Sequence, residues 1–427
     1  MTDLENLDKL HVWHPFTQML EWNRSSPLVI ERGEGNYLID SSGKRYLDGV
    51  ASLWVNVHGH GHPHITKAIA KQAETLAHST LLGLSNKPST LLAARLSKLT
   101  GLPKVFYSDS GSSAVEIALK MAYQFWQQTG FPQKQRFLHL ENSYHGDTLG
   151  AVGVGGISLF HEIYGPIVTP GIKVDAPVPK KNETAAQGTQ RGILALEAAL
   201  RENSTETAAL IIEPLVQGAA GIHVYDADYV RQAAELCQAH NVLLICDEVA
   251  TGFGRTGAMF AYEHAAVLPD LVCVAKGLTG GTLPLAATLA SKRIYEAFLG
   301  SNTERKTFFH GHTYTGNPIA CAAALASLDL FDRTDVLSSV NNKADHLKRL
   351  LADQLSDNRF VSEIRQCGLM VGIELVEKDA AELCFGLREK GVILRPLGPV
   401  IVIMPPLSIT DNELDSLVKS LSDTLGN

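Results

Sequence analysis

The sequence predicts an α/β protein built on a mostly parallel sheet, with a smaller α+β domain assembled from both ends of the chain. Between residues 103 and 290, short apolar runs alternate with segments of helical periodicity. Residues 27–50 alternate between apolar and polar positions, and residues 335–427 begin with a long helical pattern followed by short strand patterns. Buried strands separated by long helical crossovers are typical of a parallel sheet that is covered on both faces.

The central strands are predicted from six short, continuously apolar runs, which is the pattern of strands buried on both faces. They are KVFYSD (104–109), RFLHL (136–140), TAALIIEP (207–214), NVLLICDE (241–248), LVCVAKG (271–277) and LPLAATLAS (283–291).

Helices are predicted between these strands. In residues 112–128 the apolar side chains recur at helical spacing and mark one buried face. They are Ala114, Ile117, Ala118, Met121, Ala122 and Phe125. Residues 226–240 follow a similar pattern, so we expect a second crossover helix there.

The two chain ends predict the smaller domain. Residues 27–50 read as an antiparallel hairpin with turns at Gly33/Gly35 and at Ser42–Gly43. Short strands are expected around 360–376 and 391–404, and we expect them to join the N-terminal hairpin. The predicted division is residues 1–60 and 331–427 for the small domain and residues 61–330 for the large domain.

Composition excludes several classes of protein. Of the 427 residues, 45% are hydrophobic and 19% are charged, which argues against disorder, and the net charge of −8 without a basic block argues against nucleic-acid binding. No run approaches the ~18 apolar residues of a membrane span. The acidic N-terminus is unlike a signal peptide, and six cysteines without a CxxC pair are typical of reduced thiols. We therefore expect a cytoplasmic protein that binds neither membranes nor nucleic acid.

Polar residues follow several predicted strands at the point where a parallel sheet binds its ligands. Asp247 ends one strand and Lys276 ends the next, so both are expected in the same crevice. Gly111 and Ser112 open a helix after another strand, where free N–H groups and the helix dipole favour an anion. Each feature alone has an ordinary reading as a helix cap or a structural ion pair.

Together these residues meet the chemical requirements of pyridoxal 5'-phosphate. A lysine forms a Schiff base with an aldehyde, an aspartate pairs with a protonated pyridine nitrogen, and a helix start holds a phosphate. Val249, two residues after Asp247, is expected to point the same way along the strand and pack under the ring. Tyr144 is expected to stack on the opposite face.

Two segments carry a family resemblance. DEVATGFGRTG (247–257) and AKGLTGG (275–281) resemble the ornithine/4-aminobutyrate subgroup, the class-III members of the fold-type-I aminotransferases. The resemblance implies a pyridoxal-phosphate-dependent transferase fold with a seven-stranded sheet, and a homodimer with shared active sites. Further segments resemble the biotin-biosynthetic branch of that family: WHPFTQM (13–19), SLWVNVHGHGHP (52–63), DSGSSAVEIALKMA (109–122), HGHTYTGNP (310–318) and RPLGPVIVIMPP (395–406).

The resemblance also implies roles for single residues. Lys276, Asp247 and Tyr144 are expected to be catalytic, and the cofactor is expected to contact these three residues together with Gly111, Ser112, Val249, His312 and Thr313, with Thr313 reaching the phosphate of the neighbouring subunit. Substrate is expected at Phe16, Trp54, Tyr144, Asp147, Arg255, Gly311 and Arg395. Arg395 is expected to bind the carboxylate of 8-amino-7-oxononanoate, since a guanidinium offers a bidentate fork for that group.

The amino donor stays open at this point. Phe16 stands where many relatives carry Tyr, Leu53 replaces a tryptophan, and His312 stands where Pro is common. S-adenosylmethionine is the first expectation, and lysine is the alternative that these departures favour.

Other functions are compatible with parts of the sequence. An ω-amino acid or diamine transaminase that uses pyruvate or 2-oxoglutarate is the alternative enzyme, and a non-catalytic carrier of the cofactor is the alternative outside catalysis. A nicotinamide dehydrogenase lacks its glycine fingerprint here. Alternating histidines are expected on one face of a strand and suggest a metal site, but no cysteine or carboxylate cluster accompanies them, so we predict no metal; they are His58, His60, His62 and His64.

Overall fold

The protein, described here from a computed structural model, is defined over residues 3–426. The first two residues and the last residue of the predicted small domain lie outside this range. The strands are β1 (Ile30–Glu34), β2 (Tyr37–Asp40), β3 (Arg45–Asp48), β4 (Lys104–Ser108), β5 (Arg136–Leu140), β6 (Ile172–Val174), β7 (Thr207–Ile212), β8 (Val216–Gln217), β9 (His223–Val224), β10 (Leu243–Asp247), β11 (Leu271–Val274), β12 (Ala286–Ala290), β13 (Val361–Cys367), β14 (Met370–Leu375), β15 (Val392–Ile393), β16 (Arg395–Leu397) and β17 (Val400–Ile403).

The helical segments cover both faces of the sheets. They are α1 (Asp3–His11), α2 (Met19–Arg24), α3 (Ala51–Trp54), α4 (Pro63–Thr75), α5 (Lys87–Thr100), α6 (Gly111–Gln128), α7 (Leu149–Gly153), α8 (Ser158–His161), α9 (Ala185–Asn203), α10 (Ala227–Ala239), α11 (Lys292–Ala297), α12 (Pro318–Arg333), α13 (Val336–Leu355), α14 (Ala380–Leu387) and α15 (Asp411–Leu425). Three segments form 3-10 turns: Glu162–Ile167, Ala261–Ala265 and Lys276–Thr279. Within the described residues, no helix has the length and apolar character that crossing a membrane requires.

The central sheet has seven strands in the order β4-β12-β11-β10-β7-β5-β6. Neighbours from β11 to β6 run parallel, while β12 runs antiparallel to β11 and to β4. Every residue of β7 and β10 is buried, as expected for strands covered on both faces. The prediction of a mostly parallel seven-stranded sheet is therefore confirmed, and β6 is the strand that the sequence pattern did not reveal.

Helix α6 packs on this sheet along the face that its sequence predicts. All six apolar residues named for that face are buried. Its N-terminus is closed by a capping box in which the Ser110 hydroxyl accepts from the Ser113 N–H and the Ser113 hydroxyl accepts from the Ser110 N–H, at 3.3 and 3.1 Å. The cap fixes the helix start, and with it Gly111 and Ser112, at the edge of the sheet.

The two chain ends form the smaller α+β part together. Strands β1, β2 and β3 form an antiparallel meander, and β3 pairs in parallel with β15 from the far end of the chain. A second sheet, β13-β14-β17-β16, lies beside helices α13, α14 and α15. The expected assembly from both ends is confirmed, whereas the boundaries at residues 60 and 330 stay a prediction.

One local prediction from alternation is wrong. The segment that holds His58, His60, His62 and His64 is a loop leading into α4 rather than a strand, because Gly59 and Gly61 have φ values of +85° and +66°. His58 contacts the Ser327 carbonyl and His60 contacts Asp48, and within residues 3–426 no group of three or more His, Cys, Asp or Glu side chains is arranged to hold a metal ion. Residues 27–50 form three antiparallel strands, and both chain reversals lie at or next to the predicted turns, Gly33/Gly35 and Ser42–Gly43.

Candidate active site

A cavity of about 240 Å³ opens at the carboxyl end of the central sheet, where the two chain ends close over it. Ten of the residues predicted for the site line this one cavity. They are Phe16, Trp54, Gly111, Ser112, Tyr144, Asp147, Asp247, Val249, Lys276 and Arg395. Strand ends supply its floor, and loops and the small domain supply its sides.

Asp247 is the last residue of β10 and is almost fully buried. Its Oδ2 lies 2.7 Å from Nδ1 of His145, and because a carboxylate only accepts, the ring nitrogen donates. Its Oδ1 accepts from the Val249 N–H at 3.1 Å. The other ring nitrogen of His145, Nε2, has no partner among the described residues. Asp247 is therefore held in a fixed orientation by a histidine that the sequence prediction missed.

Lys276 lies two residues beyond the end of β11, where it begins a 3-10 turn with φ of +45°. Its Nζ is 5.0 Å from the centre of the Trp54 ring. Burial lowers the pKa of Lys276, and the nearby carboxylates of Asp247 and Glu213 oppose that shift. A lowered pKa increases the fraction of the neutral amine, which is the nucleophilic form.

The start of α6 approaches the cavity through residues with little or no side chain. A Cβ added at Gly111 would lie 2.6 Å from Val249 Cγ1, and one added at Gly146 (φ +113°) would lie 2.1 Å from Cβ of Ser112. The first N–H groups of a helix have no intrahelical acceptor and carry the positive end of its dipole. Glycine at both positions therefore brings a small anion site against the cavity floor.

Val249 reaches the cavity for a different reason from the predicted one. Strand β10 ends at Asp247, so strand alternation does not set the direction of Val249. Instead, the N–H contact with Asp247 and the packing against Gly111 place the side chain on the cavity wall.

Trp54 is carried by an unusual backbone turn. Segment α3 is left-handed, with φ values of 48°, 43°, 73° and 70° from Ala51 to Trp54. Such a conformation costs roughly 1–2 kcal/mol for each non-glycine residue. The turn is tied to the buried carboxylate of Asp48, which accepts from the Ser52 hydroxyl at 2.8 Å and contacts His60 Nε2 at 2.9 Å.

Aromatic side chains form the outer wall of the cavity. The Tyr144 hydroxyl donates to Asp147 Oδ2 at 2.8 Å, and burial together with this contact raises the pKa of Tyr144. Phe160 packs edge-on against Phe16 and Tyr144, with ring centres 5.5 and 6.2 Å apart. Phe16 remains 59% exposed at the mouth of the cavity.

Four predicted site residues lie away from this cavity. Arg255 is buried, and its guanidinium donates to the carbonyls of Asn56, at 2.7 Å, and Pro405, so its donors join the two chain ends instead of facing the cavity. Burial lowers the pKa of Arg255 to about 9. Gly311, His312 and Thr313 belong to an outer loop, where His312 Nδ1 lies 3.4 Å from Asp109 Oδ2.

Two charged or polar residues of the cavity were missed by sequence reasoning, His145 and Glu213. Glu213 follows the end of β7, so the rule that singled out Asp247 and Lys276 at strand ends also applies to it. His145 directly follows Tyr144, but its contact with Asp247 joins residues 102 positions apart and has no local signal.

An amine, a fixed carboxylate and a helix start thus converge on one cavity, and these residues fit pyridoxal phosphate. The fold and the cavity define a pyridoxal-phosphate-dependent transferase. Residues 19–425 match the sequence profile of the family described as Aminotransferase class-III, and the chain belongs to that family.

Individual relatives are similar over nearly the whole chain. The adenosylmethionine-8-amino-7-oxononanoate aminotransferase of Geobacter sulfurreducens is 49% identical, covering 99% of this chain and 97% of the relative. The solved structure of the equally named enzyme of Methanocaldococcus jannaschii has a TM-score of 0.94 and 42% identity, covering 99% and 98% of the two chains. An amine transaminase from an uncultivated Pseudomonas species, solved in its PLP-bound form, has a TM-score of 0.92 and 37% identity, covering 97% and 98%.

Proposed function

We propose that this chain is the aminotransferase of biotin biosynthesis that converts 8-amino-7-oxononanoate to 7,8-diaminononanoate, with S-adenosylmethionine as amino donor. One observation carries the proposal: relatives that share 38–49% identity over nearly the whole chain bear the name of that enzyme. The lining of the cavity supports the proposal, because Lys276 offers an amine for proton transfer and Arg395 offers a guanidinium for the carboxylate of the acceptor.

Pyridoxal phosphate, when bound, supplies an aldehyde and an electron-withdrawing ring that stabilises negative charge at the donor carbon. In our proposal Lys276 Nζ would hold the cofactor and would act as the general base for the proton at the donor carbon. Asp247, oriented by His145, keeps the pyridine nitrogen protonated. Gly111 and Ser112 bind the phosphate through backbone N–H groups.

The remaining cavity residues bind and orient the substrates. Tyr144 and Val249 flank the ring, and Trp54 and Phe16 exclude water from the donor side. Arg395 binds the carboxylate of 8-amino-7-oxononanoate, and Asp147 attracts its amino group through opposite charge. Arg255 has a structural part in this proposal, since its donors are bound to backbone carbonyls.

We propose a homodimer in the cytoplasm. Gly311, His312 and Thr313 do not line the cavity of their own chain, and Phe309 and Tyr314 beside them are 80% and 56% exposed. In a dimer this loop completes the partner's cavity, with Thr313 at the phosphate. Light scattering of the loaded protein should give twice the chain mass of 46.2 kDa.

The donor and acceptor are tested together by product analysis. Protein loaded with pyridoxal phosphate is given 8-amino-7-oxononanoate with either S-adenosylmethionine or lysine, and 7,8-diaminononanoate is measured by mass spectrometry. The proposal predicts product with S-adenosylmethionine. Product with lysine alone would identify the donor that Phe16, Leu53 and His312 favour.

A parallel reaction separates the alternative enzyme. It replaces 8-amino-7-oxononanoate with pyruvate or 2-oxoglutarate and uses a diamine or an ω-amino acid as donor. Faster turnover of these pairs would replace the proposal with the ω-amino acid or diamine transaminase.

A further inference from the structure

Glu213 is a carboxyl group enclosed in the cavity wall, and none of the roles described above uses it. It follows β7 and lies at the cavity with Lys276 and Asp247. Both of its oxygens are bound by backbone donors. Oε1 accepts from the Tyr144 N–H and Oε2 accepts from the Gly218 N–H, each at 3.0 Å. One side chain therefore joins two loops that lie far apart in sequence.

Each of these two loops bears on an aromatic side chain that lines the cavity, Tyr144 or Trp54. Tyr144 is itself part of the cavity wall, and the next residue, His145, orients Asp247. Gly218 supports Trp54 from behind, since a Cβ added at Gly218 would lie 3.3 Å from Trp54 Cζ3. Trp54 in turn lies over the Lys276 amine. A shift of either loop therefore moves an aromatic wall relative to Lys276.

We propose that Glu213 is a positioning residue that fixes the Tyr144 loop and the Gly218 loop, and through them the walls around Lys276. The proposal rests on the proposed function only where turnover is concerned. A carboxylate accepts from both N–H groups at once, whereas a glutamine amide has a single acceptor oxygen and leaves one buried donor unpaired. Pairing with an opposite charge does not explain the position of Glu213, because both of its hydrogen bonds come from neutral backbone N–H groups.

The chain offers a matched control in Glu248. It is as deeply buried as Glu213, and it accepts from the Tyr262 N–H at 2.9 Å and from the Thr251 hydroxyl at 2.7 Å. It does not line the cavity. Burial raises the pKa of both carboxyl groups to about 7. The two residues therefore differ in the hydrogen-bond donors that they bind and not in their desolvation.

The test is hydrogen–deuterium exchange of the cofactor-free protein, comparing Glu213→Gln with Glu248→Gln. We expect Glu213→Gln to speed exchange about tenfold or more in a peptide containing Tyr144 or Gly218, because a lost bond to a charged acceptor shifts local opening by at least that factor. Glu248→Gln should leave exchange at Tyr144 and Gly218 unchanged, because Glu248 binds the Tyr262 N–H and the Thr251 hydroxyl instead. Unchanged exchange at both Tyr144 and Gly218 in Glu213→Gln would overturn the proposal.

Visible circular dichroism of the loaded proteins supplies the readout that a merely structural role leaves unchanged. Glu213→Gln should alter the cofactor band and lower kcat about tenfold with a smaller change in KM, while Glu248→Gln should leave the band unchanged. Equal changes of the band in both variants would contradict a positioning role.

Two further results keep this proposal separate from the proposed function. If Glu213→Gln does not fold, hydrogen–deuterium exchange of the unaltered protein tests the proposal instead. The proposal requires slow exchange of the N–H groups of Tyr144 and Gly218, and fast exchange at both would overturn it. If exchange behaves as expected but no 7,8-diaminononanoate forms, the proposed function fails and the positioning role stands.

Discussion

The cavity has two walls of different construction. The strand-end wall, which consists of Asp247, Lys276 and Glu213, lies at or just beyond the ends of neighbouring parallel strands. The chain-end wall, which consists of Phe16, Trp54 and Arg395, comes from the first and last parts of the chain. Phe16 and Trp54 have φ values of 51° and 70°, and Lys276 in the strand-end wall also has a positive φ of 45°, so the walls differ in which parts of the chain supply them. We propose that the reaction depends on the strand-end wall and substrate choice on the chain-end wall.

The largest effect should come from removing the amine of the strand-end wall. Lys276→Ala should lower kcat at least about a thousandfold, because general acid–base catalysis by a positioned group supplies about a hundred- to ten-thousandfold and the covalent attachment is lost too. Steady-state product formation measures it. Lys292→Ala, at an exposed lysine paired with Glu296, is the control and should keep full activity. Substantial turnover by Lys276→Ala would contradict the assignment.

Asp247→Asn should have the second largest effect. It removes a buried charge that contacts His145 and, in our proposal, the pyridine nitrogen. We expect kcat/KM to fall at least about a hundredfold, since losing one electrostatic contact at the reacting centre costs about a hundred- to a thousandfold in rate. Steady-state kinetics and cofactor titration measure this. An equal loss in Asp270→Asn, whose carboxyl accepts from the Leu244 N–H at the other end of β10, would show that the effect is structural.

Substitution in the chain-end wall should change substrate affinity more than turnover. Arg395→Ala should raise KM for 8-amino-7-oxononanoate about tenfold or more and change kcat less, because a charge-assisted bidentate contact contributes roughly 1.5–3 kcal/mol. Kinetics with varied acceptor check this split, with Arg359→Ala as an exposed control. A fall in kcat at unchanged KM would contradict the proposal that the chain-end wall sets substrate affinity.

The strain in the turn that carries Trp54 predicts a smaller effect on stability. Ser52→Ala loses the hydrogen bond to Asp48 and should lower the free energy of unfolding by about 1 kcal/mol. Ser52→Gly loses the same bond but relieves the backbone at φ 43°, so it should lie closer to the unaltered protein. Chemical denaturation measures both. If the Ser52→Gly protein is less stable than the Ser52→Ala protein, the turn is not strained.

The smallest expected effect is on the pH dependence of stability, and it comes from Glu248. Burial raises the pKa of Glu248 to about 7 in the folded protein, from an ordinary value of 4.5. The folded state therefore binds more protons than the unfolded state between these values, and stability falls as pH rises from about 5 to 7. Glu248→Gln should flatten this part of the stability curve in urea denaturation. An unchanged slope would contradict the shifted pKa.

Sequence reasoning predicted the strand-end wall better than the chain-end wall for a physical reason. Asp247 and Lys276 end apolar runs, and parallel strands bring their carboxyl ends together. The sequence pattern therefore predicts that these two residues lie close together. Trp54 and Phe16 lie on backbone with positive φ at non-glycine residues, which no local pattern indicates. Phe16, Trp54 and Arg395 were predicted only through resemblance.

The same contrast accounts for the misses. The contact of His145 with Asp247 joins distant segments and depends on the finished fold, whereas Glu213 follows a strand end and was open to the same rule as Asp247 and Lys276. Arg255 lies in a glycine-rich motif beside Asp247 in sequence, yet its guanidinium turns to carbonyls of the two chain ends. Motif position therefore did not determine which way this long side chain points.

The most direct test of the central claim is to reduce the pyridoxal-phosphate-loaded protein with borohydride and to locate the attached pyridoxyl group by peptide mass spectrometry. The account predicts the added mass on the peptide that contains Lys276, and its absence there in Lys276→Ala. Attachment to a different lysine, or no attachment to a protein that still makes product, would contradict it.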